Sequence, residues 1–248
     1  MSGSPAAAYG HECKASGNHD LKSGWEKYKL HDMKYIFDEK KLLGLFLPDY
    51  GHDKLYSEPF LKEDGYVYAS DAHKLIRIKA DTLNGVYKSK TDYSWSLAND
   101  NCDFLITRTD IEDALAQVPQ EMETIITECP ECEGSGVVLV EYEDKEGETY
   151  ELEVDCPVCG GSGERERETG KMILSPSASI AIGDFKLWVS EVQLLLEVMK
   201  IIGVTDIHLV SFSQTDSRVV FRIDENISVM FARNNSKKAD AEIPMVRK

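Results

Sequence analysis

An eight-residue pattern occurs twice in the chain: CPECEGSG at residues 129–136 returns as CPVCGGSG at residues 156–163. Each copy has a Cys-x-x-Cys pair followed closely by two glycines. The short spacing directs two sulfurs at one point, and glycine tolerates the positive backbone angles of a tight turn. The doubled pattern therefore predicts one four-cysteine site for a single Zn²⁺ per chain, with the ligands Cys129, Cys132, Cys156 and Cys159.

Two alternatives to a zinc site remain for this pattern: a dithiol redox site and a pair of unrelated surface turns. Six cysteines in 248 residues are too few for a disulfide scaffold. Cys13 and Cys102 lie outside the repeats. His11, His19 and His31 lie in the same N-terminal stretch as Cys13, but their spacing matches no compact ligand pair.

Composition indicates an ordinary folded protein. The chain is 42% hydrophobic and 29% charged, as in typical globular domains. The sequence has no apolar run of the roughly 20 residues that a membrane helix needs, and its first residues lack the pattern of a signal peptide. We therefore expect a cytoplasmic protein with no membrane partner.

The charge is unevenly distributed. The formal net charge is −16, and residues 128–168 hold 14 acidic and 3 basic side chains, which leaves 30 acidic and 25 basic side chains elsewhere. The acidity therefore belongs mainly to the segment around the cysteines, and basic faces remain available in the rest of the chain.

Hydrophobic periodicity before the repeats predicts short alternating elements. KYIF reads as a strand, and Asp38 can cap a helix that runs through Leu47. GYVYAS and HKLIRIKA alternate as two paired strands. IEDALAQV reads as a helix capped by Thr109 or Asp110 and ended by Pro119.

The segments after the first repeat are more regular. VVLVEY and TYELEV surround the turn-forming DKEG and predict a β-hairpin between the two knuckles. ASIAI reads as a strand, and VQLLLEVMKII as a helix with a capping box at Ser190 and Gln193 and its end at Gly203. TDIHLVSF, SRVVFRI and NISVMFA read as three consecutive strands.

This order predicts an α+β fold of two strand-helix-meander halves with an inserted zinc-bound β-hairpin. The expected segments are a flexible leader (1–31), a first half (32–125), a zinc-knuckle hairpin insert (126–170), a second half (171–235) and a C-terminal tail (236–248).

The two cysteine patterns resemble the Cys-x-x-Cys-x-Gly-x-Gly repeats of the zinc region of DnaJ-type chaperones. The resemblance covers about 41 residues. Those chaperones carry four repeats and bind two zinc ions, so two repeats imply one ion. The sequence has no His-Pro-Asp triplet of a J domain, and a chaperone-like or redox module remains an alternative function.

Two other segments are similar to bacterial sliding clamps of DNA replication. The segment from SIAIGDFK to ISVMFA resembles the closing half-domain of a clamp. GYVYASDAHKLIRIKA resembles the clamp segment in which a strand runs into Thr-Asp-Gly-His-Arg, with Ala72 at the glycine position. Clamps contact DNA through basic residues on helices. The resemblance therefore implies four candidate DNA contacts, each on or beside a predicted helix: Lys40, Lys41, Lys186 and Lys200.

The leading hypothesis is a noncatalytic zinc-binding protein with a clamp-like scaffold. It would act in DNA replication or repair or as a protein-interaction platform, and the hypothesis includes a phage or mobile element as the source. Duplex DNA, a protein partner on the acidic hairpin and a homo-oligomer are all open as partners. An enzyme with an unrecognised site is a further alternative, although the sequence has no phosphate loop, His-Glu-x-x-His motif or Gly-x-Ser-x-Gly elbow.

Overall fold

A computed structural model describes residues 36–48, 57–91, 102–212, 218–232, 234 and 238–247. The expected leader (1–31), which contains Cys13 and three histidines, lies outside the described residues. The first two residues of KYIF also lie outside them. Strands dominate the described part, which also contains three α-helices. The chain divides into two compact units, Met1–Pro119 with Pro176–Lys248, and Gln120–Ser175.

The first unit contains most of the elements. Its helices are α1 (Glu39–Gly44), α2 (Arg108–Gln117) and α3 (Val189–Ile202), and a 3-10 turn spans Ala80–Thr82. Its strands are β1 (Phe60–Leu61), β2 (Tyr66–Ser70), β3 (Lys74–Lys79), β4 (Lys88–Ser89), β5 (Phe104–Thr107), β10 (Ser179–Ile182), β11 (Phe185–Trp188), β12 (Asp206–Phe212), β13 (Arg218–Arg222), β14 (Ile227–Ala232), β15 (Ala241–Ile243) and β16 (Val246–Arg247).

A nine-stranded sheet joins the two sequence halves of this unit. Its order is β16-β5-β12-β13-β14-β3-β2-β1-β4, and a three-stranded sheet has the order β11-β10-β15. The halves meet where β3 pairs antiparallel with β14, from Ile78 opposite Ile227 to Lys74 opposite Phe231. The predicted pairing of GYVYAS with HKLIRIKA is confirmed, as is the meander β12-β13-β14.

Both faces of the large sheet carry buried side chains. Leu75 and Ile76 are neighbours in β3 and point to opposite faces, yet both are at most 2% exposed. One face includes an apolar cluster with Phe60, Tyr68 and Met230. α2 packs against α3, and α3 also contacts β10 and β11. The unit therefore has a substantial core of its own.

The helix ends follow local capping chemistry. Asp38 caps α1 as predicted, since its Oδ1 accepts a 2.9 Å hydrogen bond from the Lys41 N–H. α3 ends at Gly203 as predicted, with φ of 84° at that glycine.

The predicted start of α2 was wrong. The helix begins at Arg108 because Thr107 and Asp110 form a capping box, in which the Thr107 N–H donates to Asp110 Oδ2 at 2.9 Å. The Ser190 and Gln193 box was also wrong. Glu191 Oε2 accepts a 2.7 Å hydrogen bond from the Trp188 N–H instead, so the N-cap is Trp188, two residues before Ser190.

The second unit is made of two antiparallel strand pairs. β6 (Gln120–Glu128) pairs with β9 (Glu164–Leu174), and β7 (Val137–Glu143) pairs with β8 (Thr149–Asp155). β7 and β8 correspond to the hairpin expected around DKEG. The β6 and β9 pair, whose strands are mostly exposed, was not anticipated. The unit extends beyond the 126–170 segment because these two strands pair from Gln120 to Glu128.

The end of the chain also forms strands. Within the segment expected as a tail, 236–248, β15 pairs parallel with β10 and β16 pairs antiparallel with β5. Among the described residues, no helix is long and apolar enough to cross a membrane.

Candidate metal centre

Two cysteine turns connect the strands of the second unit. The first, residues 129–136, links β6 to β7, and the second, residues 156–163, links β8 to β9. Each strand pair therefore brings the two turns to the same place, because β7 pairs with β8 and β6 pairs with β9. The four predicted cysteines come together as a consequence.

The sulfur atoms have the spacing of a tetrahedral thiolate site. All four Sγ atoms lie within 4.8 Å of one another. Cys129 Sγ lies 3.8 Å from Cys156 Sγ, and Cys132 Sγ lies 3.8 Å from Cys159 Sγ. A tetrahedron with Zn–S distances of about 2.3 Å has sulfur–sulfur edges of about 3.8 Å. The donor set therefore fits one zinc ion.

The cysteines lie in a small core of their own. Cys129 and Cys156 are fully buried, Cys132 is nearly so, and Val138 packs against the group. Cys159 is partly exposed. All four cysteines are free rather than disulfide-bonded. Four cysteine ligands would complete a tetrahedral set, so the arrangement has the form of a structural metal site rather than a catalytic one.

Backbone amides point at two of the sulfurs. The Gly136 N–H donates to Cys132 Sγ at 3.3 Å, and the Gly163 N–H donates to Cys159 Sγ at 3.2 Å. Burial acts to raise the pKa of Cys159, but the Gly163 and Gly161 N–H groups and the neighbouring thiols lower it to about 6. Burial raises the pKa of Cys156 to about 11. Amides that stabilise thiolates favour a bound cation.

The two turns are joined to each other by a reciprocal pair of hydrogen bonds. The Cys129 N–H donates to the Gly163 carbonyl at 2.8 Å, and the Cys156 N–H donates to the Gly136 carbonyl at 2.8 Å. The equal geometry shows that the sequence repeat is also a local structural repeat. The two halves of the site thus hold each other in place through the backbone.

Two glycines are required at the contact between the turns. Gly136 has φ of 80°, and a Cβ there would lie 2.4 Å from the Gly161 carbonyl oxygen. Gly163 has φ of 75°, and a Cβ there would lie 2.4 Å from the Gly134 carbonyl oxygen. The second glycine of each motif is therefore fixed by close backbone approach as well as by backbone conformation.

Outside this centre, the structure places the candidate DNA contacts on three elements. Lys40 and Lys41 lie exposed on α1, and Lys200 lies exposed on α3. Lys186 lies half-buried in β11, a strand rather than a helix. Lys41 is engaged within the unit, because its Nζ lies 2.7 Å from Glu197 Oε1. Lys41 and Lys200 hold the pKa of Glu197 below its usual range.

Several acidic, histidine and cysteine side chains outside the cysteine group have structural contacts. Asp71 Oδ1 accepts hydrogen bonds from the backbone N–H groups of His73 and Lys74, each at 2.9 Å, so it stabilises a turn. His208 Nδ1 lies 2.5 Å from Asp103 Oδ1. His52 lies outside the described residues. Cys102 Sγ lies 3.7 Å from the Leu209 carbonyl oxygen.

Comparisons with known proteins give structural neighbours only. No protein-family model matches the chain, and no curated protein matches it. Solved structures of bacterial sliding clamps show a weak structural resemblance. The DNA polymerase sliding clamp from Pseudomonas aeruginosa with ligand matches at a TM-score of 0.39 and 13% identity, over 81% of this chain and 65% of the clamp.

A second neighbour is DNA polymerase III subunit beta from Borrelia burgdorferi in complex with a natural product. It matches at a TM-score of 0.39 and 13% identity over 86% of this chain and 67% of that protein. A sliding clamp from Bartonella birtlesii bound to griselimycin matches at a TM-score of 0.37 and 10% identity, over 79% of this chain and 64% of the clamp. The chain thus spans less than two thirds of the Pseudomonas and Bartonella clamps.

Proposed function

We propose that Cys129, Cys132, Cys156 and Cys159 bind one structural Zn²⁺, and that the protein is a noncatalytic scaffold. The observation that carries the metal assignment is the sulfur geometry, with two sulfur–sulfur distances of 3.8 Å within one compact group. When bound, zinc cross-links the two turns and supplies no redox chemistry. The chain's own residues position the thiolates and shield them from water.

Metal analysis of the purified protein tests this assignment. Protein prepared without added metal should contain about one equivalent of zinc, as a site with four protein ligands requires. Less than roughly a third of an equivalent, with all four cysteines reduced and intact, contradicts the proposal. Cys102→Ser is a suitable control, because that thiol lies outside the cysteine group.

For the scaffold, we propose a clamp-like role in DNA replication or repair. Its support is the resemblance of the sequence around Ala72 and of residues 179–232 to sliding-clamp segments. The charge distribution is compatible with this role, because the acidic excess concentrates in residues 128–168. The proposed contacts are diffuse ones from Lys40, Lys41, Lys186 and Lys200 to phosphates.

A duplex-DNA titration at several salt concentrations tests the DNA role. Binding should be weak and sequence-independent, and it should fall steeply with salt because phosphate contacts release counterions. Replacing the four candidate lysines together by Glu should abolish it. A control that replaces Lys79, Lys88, Lys145 and Lys171 by Glu changes the net charge equally and should retain most of the binding. No binding at about 20 mM salt removes the DNA role.

The second unit is proposed as a protein-interaction platform. Its hairpin carries seven acidic side chains and one lysine between Glu141 and Glu153, so phosphates would be repelled there. Deletion of residues 133–155 should therefore leave DNA binding intact. The alternative of a chaperone-like module is favoured by one observation, the exposed apolar side chains of the same hairpin.

A further inference from the structure

The hairpin of β7 and β8 has two chemically different faces. One face carries the cross-strand pairs Val138–Val154, Val140–Leu152 and Tyr142–Tyr150. The opposite face carries Leu139–Glu153, Glu141–Glu151 and Glu143–Thr149. The strands are therefore apolar on one side and mostly acidic on the other.

The apolar face is exposed. Val140, Tyr142, Tyr150, Leu152 and Val154 are each between 38% and 54% accessible. Together they offer on the order of a few hundred Å² of apolar surface, a size at which the largest exposed patch of a protein is often functional. Within the unit, only Val138 of these three pairs packs against the cysteine core.

The second feature is the backbone edge of β8 that faces away from β7. In the described part of the chain, β8 pairs with β7 and with no other strand. At the two ends of the hairpin, the Asp144 N–H donates to the Glu148 carbonyl and the Cys156 N–H donates to the Gly136 carbonyl. In an antiparallel pair, hydrogen-bonded and non-hydrogen-bonded residue pairs alternate along the strands. The even-numbered residues of β8 therefore form backbone hydrogen bonds with β7, and the N–H groups of Glu151 and Glu153 point away from β7.

The composition of β8 determines which strand could pair at this edge. Tyr150, Leu152 and Val154 alternate with Glu151, Glu153 and Asp155. A strand added beside β8 would place alternate side chains on the two faces, one row against apolar groups and the other against carboxylates. A second copy of β8 would place carboxylates beside carboxylates, which is unfavourable.

We propose that β8 binds an extended polypeptide segment in which apolar residues alternate with Lys or Arg, and that this segment adds to the hairpin as a third strand. The proposal rests on the interaction-platform role above and specifies the chemistry of its partner. The outward N–H and C=O groups of Glu151 and Glu153 form the backbone hydrogen bonds. The carboxylates select basic side chains, and the tyrosine and leucine side chains contact the apolar ones.

The test uses the full zinc-loaded chain and a dye-labelled, end-blocked peptide of nine residues that alternates valine and lysine. A control peptide has the same composition with valines and lysines in separate blocks. Fluorescence anisotropy should show binding of the alternating peptide at least about tenfold tighter, a difference of ~1.4 kcal/mol. An alternating valine and glutamate peptide should not bind. Equal binding of the alternating and block peptides overturns the proposal, because charge alone then explains it.

Two variants separate backbone pairing from charge. Glu153→Pro removes an outward N–H and should weaken binding about tenfold, whereas Glu153→Gln removes only the charge and should weaken it much less. The double variant Glu151→Lys and Glu153→Lys should reverse the preference toward the valine and glutamate peptide. The proposal is wrong if Glu153→Pro and Glu153→Gln weaken peptide binding equally in zinc-loaded protein. It is also wrong if the double variant still prefers the valine and lysine peptide.

Zinc content and sedimentation on the same samples identify which idea fails. One equivalent of zinc without peptide preference overturns strand addition and leaves the metal site standing. If the unmodified protein, with its cysteines intact and reduced, contains no bound zinc, the metal-site proposal itself is overturned. Self-association that competes with the peptide would identify a second copy as the occupant and overturn the proposed partner.

Discussion

The N–H of Cys129 donates to the carbonyl of Gly163, and this bond has a counterpart of equal length, 2.8 Å, from Cys156 to Gly136. Each cysteine turn is thus tied by its first cysteine to the last glycine of the other turn. The two hydrogen bonds help to position the four sulfurs relative to one another. Metal affinity should therefore depend on these glycines as well as on the thiolates.

Gly136→Ala should weaken the metal site strongly. The new Cβ would lie 2.4 Å from the Gly161 carbonyl oxygen at a backbone φ of 80°, so the turns must separate. We expect a loss of about 2 kcal/mol or more in hairpin stability, with a matching loss of zinc affinity in a chelator competition. Gly147→Ala is the control, since it has φ of 85° with nothing within 4 Å. It should cost only about 1 kcal/mol and leave zinc affinity unchanged.

Cys132→Ser should unfold the second unit and leave the first unit folded. The first unit has its own core, whereas the second is held mainly by the cysteine group. Hydrogen exchange should show lost protection in β7 and β8 and retained protection in α3 and β12–β14. Loss of protection throughout would show that the site is integral to the whole fold.

Ala72→Gly should stabilise the protein. Ala72 has φ of 79°, a left-handed conformation that disfavours any residue with a Cβ. Relief of this strain exceeds the backbone entropy of glycine by about 0.5–1 kcal/mol, which corresponds to a rise of roughly 2 °C in Tm. Ala69→Gly, in β2 with extended backbone, is the control and should lower Tm. A lower Tm for Ala72→Gly would contradict the strain argument.

Glu191 should make stability fall with rising pH. Burial raises its pKa to about 7 from 4.5, the Trp188 N–H lowers it, and Asp71 raises it. The folded state therefore binds a proton that the unfolded state releases, and the stability that Glu191 contributes below pH 4.5 is lost between pH 4.5 and 7. The loss should be about 1–2 kcal/mol after allowance for partial exposure. Urea unfolding of Glu191→Gln across this range should show a smaller slope than the unmodified protein, and an equal slope would rule out the assignment.

The cysteine site could be predicted from sequence because its information is local. Two short repeats contain the ligands and the glycines that shape both turns. The meander β12-β13-β14 and the end of α3 at Gly203 were predictable for the same reason, since apolar alternation and a helix-ending glycine are local signals.

The β6 and β9 pairing could not be predicted in this way. QEMETIITE and ERERETGKMIL are mostly polar and exposed, so they show no alternation that marks a buried strand. Their pairing follows from the cysteine turns that β6 and β9 flank. The cap at Thr107 was missed because Thr109 and Asp110 offer equally good side chains, and only the backbone path decides among them.

The pairing of Gln120 with Leu174 means that the chain enters and leaves the second unit at adjacent positions, about one strand spacing apart. An element with such ends can be removed from one surface loop and transferred to another without stretching either host. The cysteine module is therefore portable. Cutting the chain at these two neighbouring residues would release both strand pairs and both cysteine turns as one continuous segment.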